Sequence, residues 1–172
     1  MDRRQTSVRH RSGWSAKSLF RWKPGGELCY PKLLYALKRQ KEPRHWTEFA
    51  AWMAQSWGPI ENTWIVPLPG EHALGLARAL QIFLSAPLGC FLSKIQAGPE
   101  QKERGKGARR EVRLYAQVPK NCRLYTNVLL VDDVITTGAT AQAAFEALGR
   151  PRNCQLWCLM DRLSCDASPA LL

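Results

Sequence analysis

Residues 128–140 read Val-Leu-Leu-Val-Asp-Asp-Val-Ile-Thr-Thr-Gly-Ala-Thr. Val128–Val131 is a continuous apolar run, four residues long, that leads straight into two adjacent carboxylates. Such a run suits a strand covered on both faces, which a parallel sheet with helices on each side provides. The small Thr-Thr-Gly-Ala-Thr turn then opens a segment predicted helical over about Thr140–Leu148, with Gly149 as its stop. Ligands of such sheets sit beyond the carboxyl ends of the strands. A small-residue turn at a helix N-terminus aims backbone N–H groups and the positive end of the helix dipole at an anion. Residues 128–140 therefore predict a phosphate site: Thr136, Thr137 and Thr140 add hydroxyl donors, and Gly138 lets the backbone come close. Like charge keeps Asp132 and Asp133 off the phosphate itself. They are suited to accept hydrogen bonds from neighbouring sugar hydroxyls and to steady Mg2+ through those hydroxyls or water. Either acid alone would read as an ordinary strand end; it is the thirteen positions together that point to a ligand.

The rest of the chain supplies the sheet that this segment needs. Pro31 with Leu33, Leu34 and Leu37 predicts a short helix to about Lys41, and a second is predicted from an N-cap at Thr47 to Gly58-Pro59. Thr63–Val66 is a short β run ending in Pro67-Leu68-Pro69-Gly70. Ala73, Leu76, Ala77, Leu80, Phe83 and Leu84 then form a helical stripe. Cys90–Ile95, Val112–Val118 and Cys154–Met160 are predicted strands. Gln96–Arg110 has no apolar face and reads as a charged loop. Strands alternating with helices argue for an α/β fold with a doubly wound, mostly parallel sheet. Cys154 and Cys158 fall on one strand face, a core pattern more than a metal pattern.

Charge is uneven. The chain carries a net charge of +11, and residues 1–26 hold seven Lys or Arg against one acid, residues 94–113 seven against three. Two basic segments favour anionic partners such as phosphates, nucleic acid or an acidic membrane. Residues 1–26 show no sustained periodicity and end in Pro24-Gly25-Gly26. They are predicted to form a basic N-terminal arm, with the fold beginning after it and residues 27–172 as the folded domain. Trp14 and Trp22 within that arm could stack on bases. The six cysteines form no C-x-x-C pair and read as reduced thiols. Met1–Lys23 lacks an apolar export segment of about 7 to 15 residues. The apolar stretch Ala79–Ile95 is broken by Gln81, Pro87, Gly89 and Lys94. The expectation is a cytoplasmic protein with no membrane partner.

The segment 128–140 resembles the PRPP-binding motif of type I phosphoribosyltransferases at every position of the usual pattern. Further matches resemble the ComF-type competence proteins: Tyr35-Ala-Leu-Lys38, Val66-Pro-Leu-Pro69, the helix His72–Leu80, and Gln101 with Arg109. The resemblance spans about residues 30–160. It implies a type I phosphoribosyltransferase-like fold that binds 5-phosphoribosyl-1-pyrophosphate (PRPP) with Mg2+. Asp132 and Asp133 would serve as the catalytic pair on the ribose 2′- and 3′-hydroxyls. Thr136, Thr137, Gly138, Ala139 and Thr140 would hold the 5′-phosphate, and Leu68-Pro69-Gly70 would form the pyrophosphate loop, where an X-Pro bond could be cis; an ordinary turn is the competing reading. Over that loop, Lys102, Arg104, Lys106, Arg109 and Arg110 could neutralise the pyrophosphate, or simply form a solvated loop.

Two departures stand out. The family's N-terminal cysteine zinc module is missing, since Cys29 stands alone before Cys90, and a basic segment expected before the Glu71 helix is reduced to Gly70-Glu71. Transfer of the phosphoribosyl group to a nitrogen nucleophile is the leading expectation. The alternative is a non-catalytic, DNA-handling protein of the competence type, with single-stranded or duplex DNA as partner and a homodimer as a candidate assembly. No general base is evident. His72 reads as a first-turn polar residue, and Thr136 stands where some purine-type members carry an acid.

Overall fold

The computed structural model describes residues 7–11, 13–22, 43–95, 112–120 and 127–162. In chain order these form β1 (Ser7–Arg11), β2 (Trp14–Trp22), α1 (Pro43–Trp57), β3 (Thr63–Pro67), α2 (Glu71–Leu84), β4 (Leu92–Lys94), β5 (Leu114–Ala116), β6 (Asn127–Ile135), α3 (Ala139–Ala147) and β7 (Asn153–Arg162). The main sheet has the order β1-β2-β7-β6-β3, and β4 pairs with β5 in a separate ribbon. Strands β2, β7, β6 and β3 run parallel, and β1 pairs antiparallel with β2.

Both faces of the sheet are covered. Leu129, Val131, Ile65, Trp157 and Leu159 pack with Phe49 and Met53 of α1 and Leu76 and Leu80 of α2. On the other face Val66, Val128, Leu130 and Leu156 pack with Ala141, Ala144 and Phe145 of α3. This is the doubly wound α/β architecture, and it explains why residues 128–131 are apolar without alternation.

Local differences from the sequence reading have identifiable causes. Pro43, suited to a first helical turn, starts α1 four residues before the predicted N-cap Thr47, which lies exposed within the helix. Pro87–Gly89, which reads as a breaker, lies along the outer edge of β3: Ile65 N donates to Pro87 O at 2.9 Å and Gly89 N to Ile65 O at 2.8 Å. The strands predicted at Cys90–Ile95 and Val112–Val118 shrink to the β4–β5 ribbon beside the sheet, where Leu114 packs against the α3 core. The predicted helix before Lys41 and the loop Gln96–Arg110 lie outside the described residues.

The largest correction concerns the N-terminal segment. Residues 14–22, expected in an arm outside the core, form β2, an interior strand between β1 and β7. Trp14, Ala16 and Leu19 are buried. Basic residues hide the strand's pattern, yet Lys17 is only half-exposed and its ammonium lies 6.0 Å from the centroid of the Trp157 ring, so the charge is accommodated against an aromatic face.

Candidate functional site

The site is built at the carboxyl ends of two neighbouring strands. Pro67 of β3 lies in register with Val131 of β6, and Leu68 N donates to Val131 O at 2.9 Å. That bond fixes the loop Leu68-Pro69-Gly70 against the strand that carries the acids. No peptide bond among the described residues is cis.

Strand β6 continues through both acids to Ile135 rather than stopping before them. Asp132 and Asp133 are half-buried. Asp132 Oδ1 accepts from Asp133 N at 2.9 Å, and Asp133 Oδ1 accepts from Val134 N at 3.0 Å. Backbone donors thus orient one oxygen of each carboxylate. Across the sheet, Asp132 lies in register with Cys158 of β7, and Cys158 with Ser18 of β2.

The turn follows at once. Thr136 and Thr137 are exposed, whereas Gly138 is buried and caps α3 in the left-handed region at φ 79°. A Cβ there would stand 3.3 Å from Cη2 of Trp14. Ala139 N donates to Thr137 Oγ1 at 3.3 Å, and Gln142 N donates to Gly138 O at 2.9 Å as the helix begins. Leu68–Gly70, Asp132, Asp133 and Thr136–Thr140 therefore share one edge of the sheet. Arg109 lies outside the described residues.

Further residues lie near this edge. Arg11 Nη2 donates to Thr137 O at 2.9 Å, and Trp14 Nε1 donates to Gln142 Oε1 at 2.8 Å. Trp14 is 4% exposed, so the expectation that it stacks on bases is corrected. Asp161, 1% exposed, lies on β7 in register with Ile135. The signal that could have found it is the apolar run Leu156–Met160 ending in an acid, as 128–131 does. Cys154 and Cys158 are both buried in the α3-side core, and burial pushes the Cys154 thiol up to about 12.

A groove of about 390 Å³ lies between α1 and α2, bordered by Trp46, His72, Arg78 and Ile82. His72 and Trp46 have ring centroids 5.6 Å apart. His72 therefore packs against an indole in the first turn of α2.

Fold and edge together define a doubly wound α/β protein with two loops at the carboxyl ends of the neighbouring parallel strands β3 and β6, where ligands of such sheets sit. No protein-family model and no curated protein matches the sequence. Among solved structures, a hypothetical protein from Neisseria gonorrhoeae with bound ppGpp aligns with a TM-score of 0.50 at 19% identity, over 76% of this chain and 73% of that one. A hypoxanthine-guanine phosphoribosyltransferase from Bacillus anthracis aligns with a TM-score of 0.45 at 17% identity, over 76% and 73% of the two chains. Adenine phosphoribosyltransferase from Leishmania donovani gives 0.41 at 15% identity, over 71% and 66%. No helix among the described residues is long and apolar enough to cross a membrane.

Proposed function

We propose that the chain binds PRPP with Mg2+ at the carboxyl edge of β3 and β6, as a phosphoribosyltransferase-type protein of the ComF kind. The observation that carries this reading is that the acid pair Asp132–Asp133 and the turn Thr136–Thr140 follow one another at the carboxyl end of β6, beside the loop Leu68–Gly70 that ends its parallel neighbour β3. In this reading the turn takes the 5′-phosphate, the acids take the ribose 2′- and 3′-hydroxyls, and Leu68–Gly70 faces the pyrophosphate. Among the described residues no group of three or more His, Cys, Asp or Glu side chains is arranged to hold a metal ion. The available donors are two adjacent carboxylates. They suit an ion that arrives with the substrate and keeps phosphate and water oxygens as its other ligands.

Departure of pyrophosphate from the ribose would leave an oxocarbenium-like centre. Asp132 and Asp133 beside the ribose would stabilise that positive charge, and a Mg2+ ion held with them would supply charge compensation for the leaving group. The nucleophile in this reading is a nitrogen acceptor that brings its own basicity.

The net charge of +11 supports an anionic ligand and keeps DNA as the second reading. That reading gains nothing from Trp14, whose indole is enclosed.

Calorimetry with PRPP and Mg2+ tests the proposal. Wild type is expected to bind. Asp133→Asn is expected to lose about 1.5–3 kcal/mol, the value of one charge-assisted hydrogen bond, or about tenfold and more in affinity, while folding normally. Absence of PRPP binding to the wild type refutes the reading. Turnover with a panel of nitrogen bases then separates transfer from binding alone.

A further inference from the structure

We propose that Arg11 is a positioning residue for the phosphate turn: its guanidinium holds the Thr137–Gly138 peptide so that the Gly138 N–H faces the bound anion. The inference rests on the PRPP reading above and adds to it a residue more than a hundred positions away in sequence.

The geometry begins in the β1–β2 hairpin. Arg11 and Trp14 face each other in register across a turn that contains Gly13 at φ 94°. Both side chains reach the turn before α3. Arg11 Nη2 lies 2.9 Å from Thr137 O. The Trp14 ring lies against Gly138, and its Nε1 donates to Gln142 Oε1 at 2.8 Å in the first turn of α3. Gln142 is itself held, since its Nε2 donates to Glu146 Oε1 at 2.8 Å. The hairpin thus grips the turn at a backbone carbonyl, at the buried glycine and at the helix start.

What this grip does follows from the peptide group. In a trans peptide the C=O and N–H point in opposite directions, so a donor fixed on Thr137 O sets the direction of the Gly138 N–H. Gly138, with the widest backbone freedom of any residue, would otherwise sample peptide orientations that present the carbonyl oxygen to the anion. A cation on that oxygen also polarises the peptide and makes its N–H a stronger donor. The orientation is therefore in place before the ligand arrives. Arg suits the role better than Lys because its planar fork fixes direction as well as charge.

The test uses the full-length chain, with Arg11→Ala and Arg11→Lys, and Arg78→Ala in the α1–α2 groove as a charge control. The ligands are ribose 5-phosphate, PRPP with Mg2+, and pyrophosphate with Mg2+. Arg11→Ala is expected to weaken ribose 5-phosphate and PRPP by about tenfold, the scale of one charge-assisted hydrogen bond. Pyrophosphate affinity should stay within about twofold, since pyrophosphate does not use the turn. Arg11→Lys should fall between Ala and wild type, and Arg78→Ala should match wild type. Thermal midpoints report folding; if the Ala variant does not fold, a Lys variant with wild-type midpoint and wild-type ribose 5-phosphate affinity overturns the proposal. So does unchanged ribose 5-phosphate binding in Arg11→Ala, or equal loss for all three ligands. Wild type that binds neither ribose 5-phosphate nor PRPP refutes the PRPP reading itself, a distinct outcome.

Discussion

Gly138 is held by two independent constraints. Its φ of 79° is strained for any residue with a Cβ, and the added carbon would crowd the Trp14 ring at 3.3 Å. Gly138→Ala is expected to cost about 1–2 kcal/mol in urea unfolding and to weaken PRPP, because relief of either strain moves the turn. Cys154 bears on alkaline stability instead. Its thiol is raised by burial from an ordinary 9.0 to about 12, so the folded state keeps a proton that the unfolded chain releases. Its contribution is fully present below about pH 9 and is lost as pH climbs from there toward 12, at up to about 1.4 kcal/mol per pH unit. Unfolding of wild type and Cys154→Ala at pH 8 and pH 10 checks this, since groups common to both cancel. The wild type should lose about 1 kcal/mol more than the variant.

At the scale of elements, legibility followed whether the burying partners are local or distant. Strand β6, its turn and α3 are contiguous, and of the α2 stripe Ala73, Leu76, Ala77 and Leu80 are buried as the spacing predicts, whereas Leu84 is half-buried and Phe83 exposed. Strand β2 was not legible because Lys17 and Arg21 interrupt the apolar residues, and what accommodates Lys17 is Trp157, 140 positions away in numbering. The contacts of Arg11, and those that make Trp14 a core residue rather than a base-stacking one, are hidden for the same reason: their partners, Thr137 and Gln142, lie 126 and 128 positions on. The acid pair and the Thr-rich turn were legible as residues, whereas their alignment with Leu68–Gly70 needed the β3–β6 register. A prediction follows for β2. Leu19 is fully buried against the α1–α2 layer, so Leu19→Ala should cost about 2–5 kcal/mol by chemical denaturation. A solvated arm predicts no change.

For the whole molecule, the consequence is that much of the N-terminal basic excess belongs to the sheet. Strand β2 pairs with β7 along most of its length, Ser15 with Gln155 through Trp22 with Arg162, which joins the N-terminal hairpin to the last described strand of the fold. Closing so long a loop costs more than joining neighbours, but only slowly more with length, and the burial of Trp14, Ala16 and Leu19 offsets it. Removing residues 1–22 would leave β7 as an edge with its ladder groups and Trp157 uncovered, and would take Arg11 and Trp14 from the turn before α3. The truncated chain is therefore expected to lose its cooperative thermal transition and its PRPP binding together. A detached nucleic-acid arm predicts the opposite: an unchanged transition, intact PRPP binding, and a shallower salt dependence for an oligonucleotide, by about 0.7–0.9 in log–log slope for each phosphate that the arm would have neutralised. Scanning calorimetry of both chains, followed by PRPP titration of whichever remains folded, decides between them. A truncated protein that melts at the wild-type temperature would remove β2 from the core.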